Sequence, residues 1–330
     1  MAYTTIDDPS AHFQTKIYTG TGSSLALTND GNSDLNPDLV WIKRRDGTYG
    51  HAAFDTTRGS TYRLIPSAVG AEDTNAEYIT SFNTDGFTAG TDANINESSL
   101  TYVAWQWKKG TTPGFDIVAY TGNATARTIS HGLGAIPKVI ICKSRGSTKA
   151  ETHWMVYHHA LAADAETDYL FLDTTAAAAD DTVWNDTAPT SSVFSLGTQD
   201  SVNWNTATFI AYLFAEVQGF SKFGSYTGNG NADGTFVHCG FKPAFVMTKS
   251  VDSTSDWNIF DHKREGYNVD NDTLKANDDA AELTTDMIDL LSNGFKLRIA
   301  TDPNVAETYI YMAFAENPFV TSGGVAGTAN

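Results

Sequence analysis

The chain has 330 residues, with 18 Phe, 14 Tyr and 7 Trp, and a formal net charge of −18. That length allows two or three domains, each with a core of its own, and so many aromatic residues exclude a disordered chain. The negative charge repels phosphate backbones and argues against a nucleic-acid partner. Charged residues are only 18%, and the abundance of Thr, Asn, Asp, Ser and Gly favours short strands joined by turns over long helices.

The N-terminal "MAYTTIDDPSAHF" has neither the basic region nor the apolar stretch of a secretory signal. No apolar run approaches the length needed to cross a bilayer, so membrane insertion is not expected. From Phe13 onward one pattern recurs about every hundred residues, and repeats decide the architecture before any other feature. Three units open with "YTGTG" at Tyr18, "YTGNA" at Tyr120 and "YTGNG" at Tyr226. Each continues with a proline and a strand, "PDLVWIK", "PKVIICK" or "PAFVMTK", so that Pro37, Pro137 and Pro243 precede Lys43, Lys143 and Lys249 by six residues. An aromatic follows at Phe54, Tyr157 or Phe260, then Phe87, Phe194 or Phe295. A closing run completes each unit: "TYVAWQW" from Thr101, "TFIAYLFAE" from Thr208 and "TYIYMAFAENPF" from Thr308.

These runs are β-branched and aromatic and are bounded by Gly, Asn, Asp and Pro, the signature of strands. The fold class is therefore all-β: three tandem β-sandwich or jelly-roll-like repeats of about 100 residues. Their spans are residues 13–110, 111–217 and 218–320, with a flexible tail at 321–330. The prolines are expected at the first residue of a strand, where a missing N–H costs little. The "YTG" glycines are expected in turns that need positive φ. The closing runs are apolar at both parities, so each is expected to be a central strand covered on both faces. "ADAETDYLFLDTTAAAADD" and "AAELTTDMIDLLSNGF" read either as one or two helical turns or as irregular loops. The joins "KKGTTPG" and "VQG" are short, so neighbouring units are expected to touch.

Few residues stand out as chemistry. Lys43, Lys143 and Lys249 end an apolar strand in every unit and read as lysines lying over a sheet with the ammonium paired or solvated. Asp55 with Arg58 and Asp261 with Arg264 form D-x-x-R turns closed by a local ion pair; His158 and His159 replace that pattern in unit two. "HWMVYHH" lacks the further ligands a metal site requires. Cys142 and Cys239 do not correspond between units and read as free thiols. "DGNSDLNPD" spaces Asp30, Asn32 and Asp34 as a calcium loop would, yet Leu35 stands where that loop needs glycine and Trp41 where it needs glutamate. Trp184 and Trp204, in polar surroundings, are the best placed tryptophans for stacking on a sugar. No cofactor motif and no carboxylate pair or nucleophile of a known catalytic kind is present.

At "YTGNGNADGTFVHCGFKPAFVMTKS…DWNIFD" and "TYIYMAFAENPF" the sequence resembles an uncharacterised repeated β-domain of tailed-phage structural proteins, particularly from phages of marine bacteria. The opening "MAYTTIDDPSAHFQTKIYTG" is similar to the start of several such proteins, and the resemblance runs from about Met1 to Val320. It implies a non-enzymatic virion surface component, a tail fibre or appendage or a head-decorating knob, made in the host cytoplasm and bound to other capsid or tail proteins. Residues 1–12 would then dock on the particle, the loops would face the host and contribute to attachment, and a homotrimer is one expected form. A carbohydrate-binding lectin is the alternative reading, and a hydrolase a remote one.

Overall fold

The computed structural model describes residues 3–146, 152–264 and 272–327 of the chain. The first unit holds β1 (Phe13–Thr19), β2 (Leu25–Leu27), β3 (Leu39–Arg44), β4 (Ala52–Asp55), β5 (Gly59–Leu64), β6 (Asp73–Thr74), β7 (Ile79–Phe82), β8 (Phe87–Ala89), the one-turn helix α1 (Ala93–Asn96) and β9 (Thr101–Trp107). The second holds β10 (Phe115–Thr121), β11 (Arg127–Ser130), β12 (Val139–Ser144), β13 (Met155–His158), β14 (Asp168–Phe171), β15 (Ala179–Asp180), β16 (Val193–Leu196), α2 (Asp200–Asn203) and β17 (Thr208–Phe214). The third holds β18 (Ser221–Thr227), β19 (Phe236–His238), β20 (Phe241–Ser250), β21 (Asn258–Asp261), β22 (Leu274–Lys275), β23 (Ile288–Leu291), β24 (Gly294–Leu297) and β25 (Thr308–Pro318).

The fold is all-β, and one strand order appears three times. The large sheets run β1-β9-β3-β4-β5-β6, β10-β17-β12-β13-β14-β15 and β18-β25-β20-β21-β22. Smaller sheets, β2-β8-β7, β11-β16 and β19-β24-β23, accompany them. The register repeats as well: Tyr18 faces Tyr102, Tyr120 faces Phe209 and Tyr226 faces Tyr309. In each pair the rings stack with centroids 5.1 Å apart. The tyrosine hydroxyl donates to the carbonyl of Ile95, Val202 or Pro303, which ties the opening strand to the segment before the closing strand.

The closing strands are central and covered on both faces, and alternation shows by what. In β9, Tyr102 and Ala104 point toward Val40, Phe54, Ile79 and Phe87, the core between the two sheets of the first unit. Val103, Trp105 and Trp107 point the other way, into a cluster shared with the second and third units. The first unit thus keeps a core of its own between its sheets, and one larger apolar cluster joins all three units. Trp107, Phe214 and Phe314, the equivalent residues of the three closing runs, meet there: Phe314 lies 5.8 Å from both of the others. Trp41, Ile141 and Met247, equivalent positions of the second central strands, surround a cavity of about 30 Å³ at the same place. Its wholly apolar lining gives a water no partner, so it is a dry packing gap.

Several expectations change in detail. The "YTG" glycines are absent from the positive-φ positions; Gly20, Gly122 and Gly228 are required because a Cβ would stand 2.2, 2.1 and 2.0 Å from the carbonyl oxygens of Glu97, Trp204 and Val305. Pro37 and Pro137 lie two residues ahead of β3 and β12, whereas Pro243 lies inside β20 at a register shift against β25. A bulge is the other place in a sheet that tolerates a missing donor. The alanine-rich window forms β14 and β15, not a helix, because Leu170 pairs with Val156 and tertiary pairing overrides alanine's weak helix preference. The second window forms β23 and runs into β24.

The two chain ends fold onto the body. Ile6 is buried in the shared core, Tyr3 donates to the Gly240 carbonyl at 2.7 Å, and Asp7 accepts from the Ser322 backbone N–H. Within residues 3–12, a part of the segment expected to dock on a particle, Tyr3 contacts the third unit while Asp8, Ser10 and His12 bond Ser33 and Lys108 of the first. Residues 321–327 turn back through a bridge between Val320 and Ala326; 328–330 lie outside the described residues.

Candidate functional site

Each unit meets the next through the same set of contacts, and those contacts consume the residues that look most chemical. Trp154 of the second unit donates its indole N–H to Ile65 O of the first, and Trp257 of the third donates to Phe171 O of the second. His51 of the first faces Lys275 O of the third at 2.9 Å. The relation therefore closes into a ring. Backbone bonds follow the same cycle: Glu72 N to Arg145 O, Ala178 N to Val251 O and Glu282 N to Arg45 O.

The D-x-x-R turns are ion pairs, as expected: Arg58 Nε lies 2.5 Å from Asp55 and Arg264 Nε 2.6 Å from Asp261, all with no exposed side-chain area. They also reach across the ring. Arg58 and Arg145 share Glu72 at 3.0 and 2.9 Å, and Arg264 and Arg45 share Glu282, each at 2.7 Å. The same Oδ2 of Asp55 that pairs with Arg58 also accepts from Tyr212, and the Oδ2 of Asp261 that pairs with Arg264 also accepts from Trp105, both donors on the neighbouring unit. Burial pushes the Glu282 carboxyl up, but the hydrogen bonds and charges of Arg45 and Arg264 outweigh it and hold the carboxyl below its usual range. At the third junction His158 bonds Tyr311 O, and Ala178 and Val251 replace the charged groups. Burial lowers the pKa values of His51 and His158 to about 3, which keeps both neutral.

Lys43, Lys143 and Lys249 do not converge on a pocket. All three are fully buried, and among the described residues their ammonium groups are capped by carbonyl oxygens and not paired with a carboxylate. Lys143 donates to Val69 O at 2.8 Å and to Thr152 O, Lys249 to Ser250 O and Thr175 O, and Lys43 to Arg44 O and Gly47 O. Desolvation lowers each pKa to about 8. A second recurrent residue is not obvious from composition: Asn96, Asn203 and Asn304 are wholly buried. Each bonds two backbone carbonyls through Nδ2 (Asn304 also the Asn229 side chain) and accepts one backbone N–H, as Asn203 does with Thr125 O, Gly197 O and Asn123 N. The signal was the asparagine four or five residues before each closing run.

The remaining candidates are placed as follows. Cys142 and Cys239 are free and buried, and burial pushes the Cys142 thiol up to about 12. Trp184 is buried against Tyr157 and is not available to stack on a sugar. Trp204 is half-buried at the C-terminal cap of α2. Asp30 lies 3.3 Å from the Lys16 ammonium and 3.1 Å from that of Lys263, so cations of the chain itself already neutralise it; Asn32 and Asp34 are exposed. No group of three or more His, Cys, Asp or Glu is placed to hold a metal ion among the described residues, and none of their helices is long and apolar enough to cross a membrane.

The second unit also carries a concave surface. On the second unit, between β14 and the turn carrying α2, a cleft of about 320 Å³ exposes Tyr169, Phe171 and His153 opposite Asp181, Gln199 and Asp200. The His153 ring packs 4.2 Å from Phe171, its Nδ1 held by Asp173 at 2.8 Å, and Tyr169 stands edge-on to Phe171.

Fold and junctions together define a single-chain, all-β body in which three sandwich-like units close a ring around one apolar centre. The chain belongs to the family described as "Domain of unknown function (DUF7483)", which matches residues 8–318. That one match spans all three units. Among curated proteins, none matches the sequence.

Proposed function

We propose that this protein is a non-catalytic structural module of a virion surface, a fibre or appendage subunit or a head-decorating knob that contributes to host attachment. One observation carries the reading. The recurrent Lys43, Lys143 and Lys249, the D-x-x-R pairs Asp55–Arg58 and Asp261–Arg264, and His51 and His158 are buried as hydrogen-bonding posts of the closed ring. A body so constructed is rigid, and its net charge of −18 keeps it soluble at high local density. The resemblance to tailed-phage structural domains supports the setting, and its partners would be other capsid or tail proteins. The test is gold-antibody labelling with quantitative proteomics of density-purified particles from the source phage. A fixed copy number per particle is expected; label on the head identifies a decorating knob, label on the tail a fibre. Recovery only in the particle-free lysate would overturn the reading.

A further inference from the structure

We infer that the cleft on the second unit is a binding site for a neutral hexopyranose of a glycan. This names the partner class for the attachment role and rests on that reading only for its biological setting. The inference comes from comparing one location in three units of the same chain. β-Pairing places Tyr169 opposite Ala179 where the first unit places Arg63 opposite Asp73. In the first unit that pair closes the location: Arg63 bonds Asp73 at 2.6 Å and lies 4.7 Å above the Tyr78 ring. In the second unit Tyr169 and Ala179 leave it open.

The position of Phe171 is fixed by its carbonyl, which receives the neighbouring tryptophan as Ile65 O does in the first unit. Its counterpart in the third unit is Lys275, whose carbonyl faces His51. The Lys275 ammonium there pairs with Asp256 at 2.7 Å, so an ion pair occupies the place held by Phe171 and His153 in the second unit. One half of the location is thus plugged in the first unit and the other half in the third, whereas aromatic rings line both in the second.

The chemistry of the lining selects a polyol. Aromatic faces such as those of Tyr169 and Phe171 suit the C–H face of a pyranose. Hydroxyl groups both donate and accept, and the opposite rim offers both functions. Gln199 donates to Asp181 Oδ1 at 2.6 Å, which orients its amide, and an ionised carboxylate has further acceptor positions. Among the described residues that line the cleft there is no lysine or arginine, while Asp181 and Asp200 are present and disfavour acidic sugars. The volume lies at the lower end of small-ligand sites, about 300–1,000 Å³, and suits one or two rings.

The test is saturation-transfer NMR on the full chain with glucose, galactose, mannose, N-acetylglucosamine and their disaccharides, with choline as a cationic comparison. Two variants copy side-chain sets that the chain already folds elsewhere: Tyr169→Arg with Ala179→Asp, and Phe171→Lys with His153→Asp and Asp173→Asn, because Asn277 stands beside Asp256 in the third unit where Asp173 holds His153. Transfer to at least one neutral sugar is expected, and each variant is expected to lose affinity about tenfold or more, the scale of removing a central aromatic contact, with unchanged melting temperature. No transfer to any neutral sugar, binding that survives both variants, or stronger binding of choline would each overturn the inference. None of these outcomes bears on particle labelling, so the two readings fail separately.

Discussion

At the scale of single residues, what recurs in this chain is polar and buried. Lys143 shows why the sequence conveyed half of this. Its spacing from Pro137 was legible, but whether an ammonium at a strand end meets water or carbonyl oxygens depends on the next unit, whose Val69 O caps it. The buried ammonium makes a pH prediction. Its folded pKa of about 8 lies below the usual lysine value, so above pH 8 the folded chain has released a proton that the unfolded chain still binds. Stability from this group therefore rises with pH from about 8 to about 10.4 and is missing below that window. Lys143→Met leaves carbonyls unpaired, at about 1–3 kcal/mol, and also removes the pH-linked gain. In urea titrations its deficit should be larger at pH 9.5 than at pH 7, by about 2 kcal/mol. Equal deficits at the two values would show that the lysine does not titrate in this window.

At the scale of elements, the strands were largely legible because the closing runs are apolar at both parities, and β9, β17 and β25 are indeed covered twice. The short elements were not. α1 and α2 are single turns, and the turn of α1 is held by a cap contact of Asp92 to Asn94 N. Such contacts carry no periodicity. The "YTG" glycines illustrate a right residue with a different cause, since backbone approach and not backbone conformation excludes a side chain there. Gly122→Ala tests this. No φ strain is introduced, yet the new Cβ would stand 2.1 Å from Trp204 O and must force β10 away from the turn after α2. Overpacking of this kind costs about 1–3 kcal/mol. The expected result is a lower melting temperature with local loss of amide protection at Gly122 and Ala124, whose N–H groups bond Ala207 O and Asn203 O. A neutral or stabilising effect would mean that the two segments separate freely.

At the scale of the whole molecule, the ring explains how one chain can show threefold repetition without a trimer. A unit alone would present much of Trp41, Trp105 and Trp107 to water, because the sheet face that carries them is covered largely by the other two units. A long exposed apolar face of this kind drives aggregation. The ring also differs around its circumference: two junctions carry the Arg–Glu–Arg clusters, and the third carries Ala178, Val251 and neutral His158. Breaking one buried cluster leaves uncompensated charge and is more damaging than its net contribution when intact. These features predict a single cooperative transition, with a calorimetric unfolding enthalpy equal to the van't Hoff enthalpy for the full chain. Three independently folding sandwiches would instead give a van't Hoff value of about one third of the calorimetric one. Residues 13–110 expressed alone should be insoluble or unfolded, whereas a folded, monomeric fragment with native tryptophan emission would show that the central apolar cluster is a contact between finished domains and not their common core.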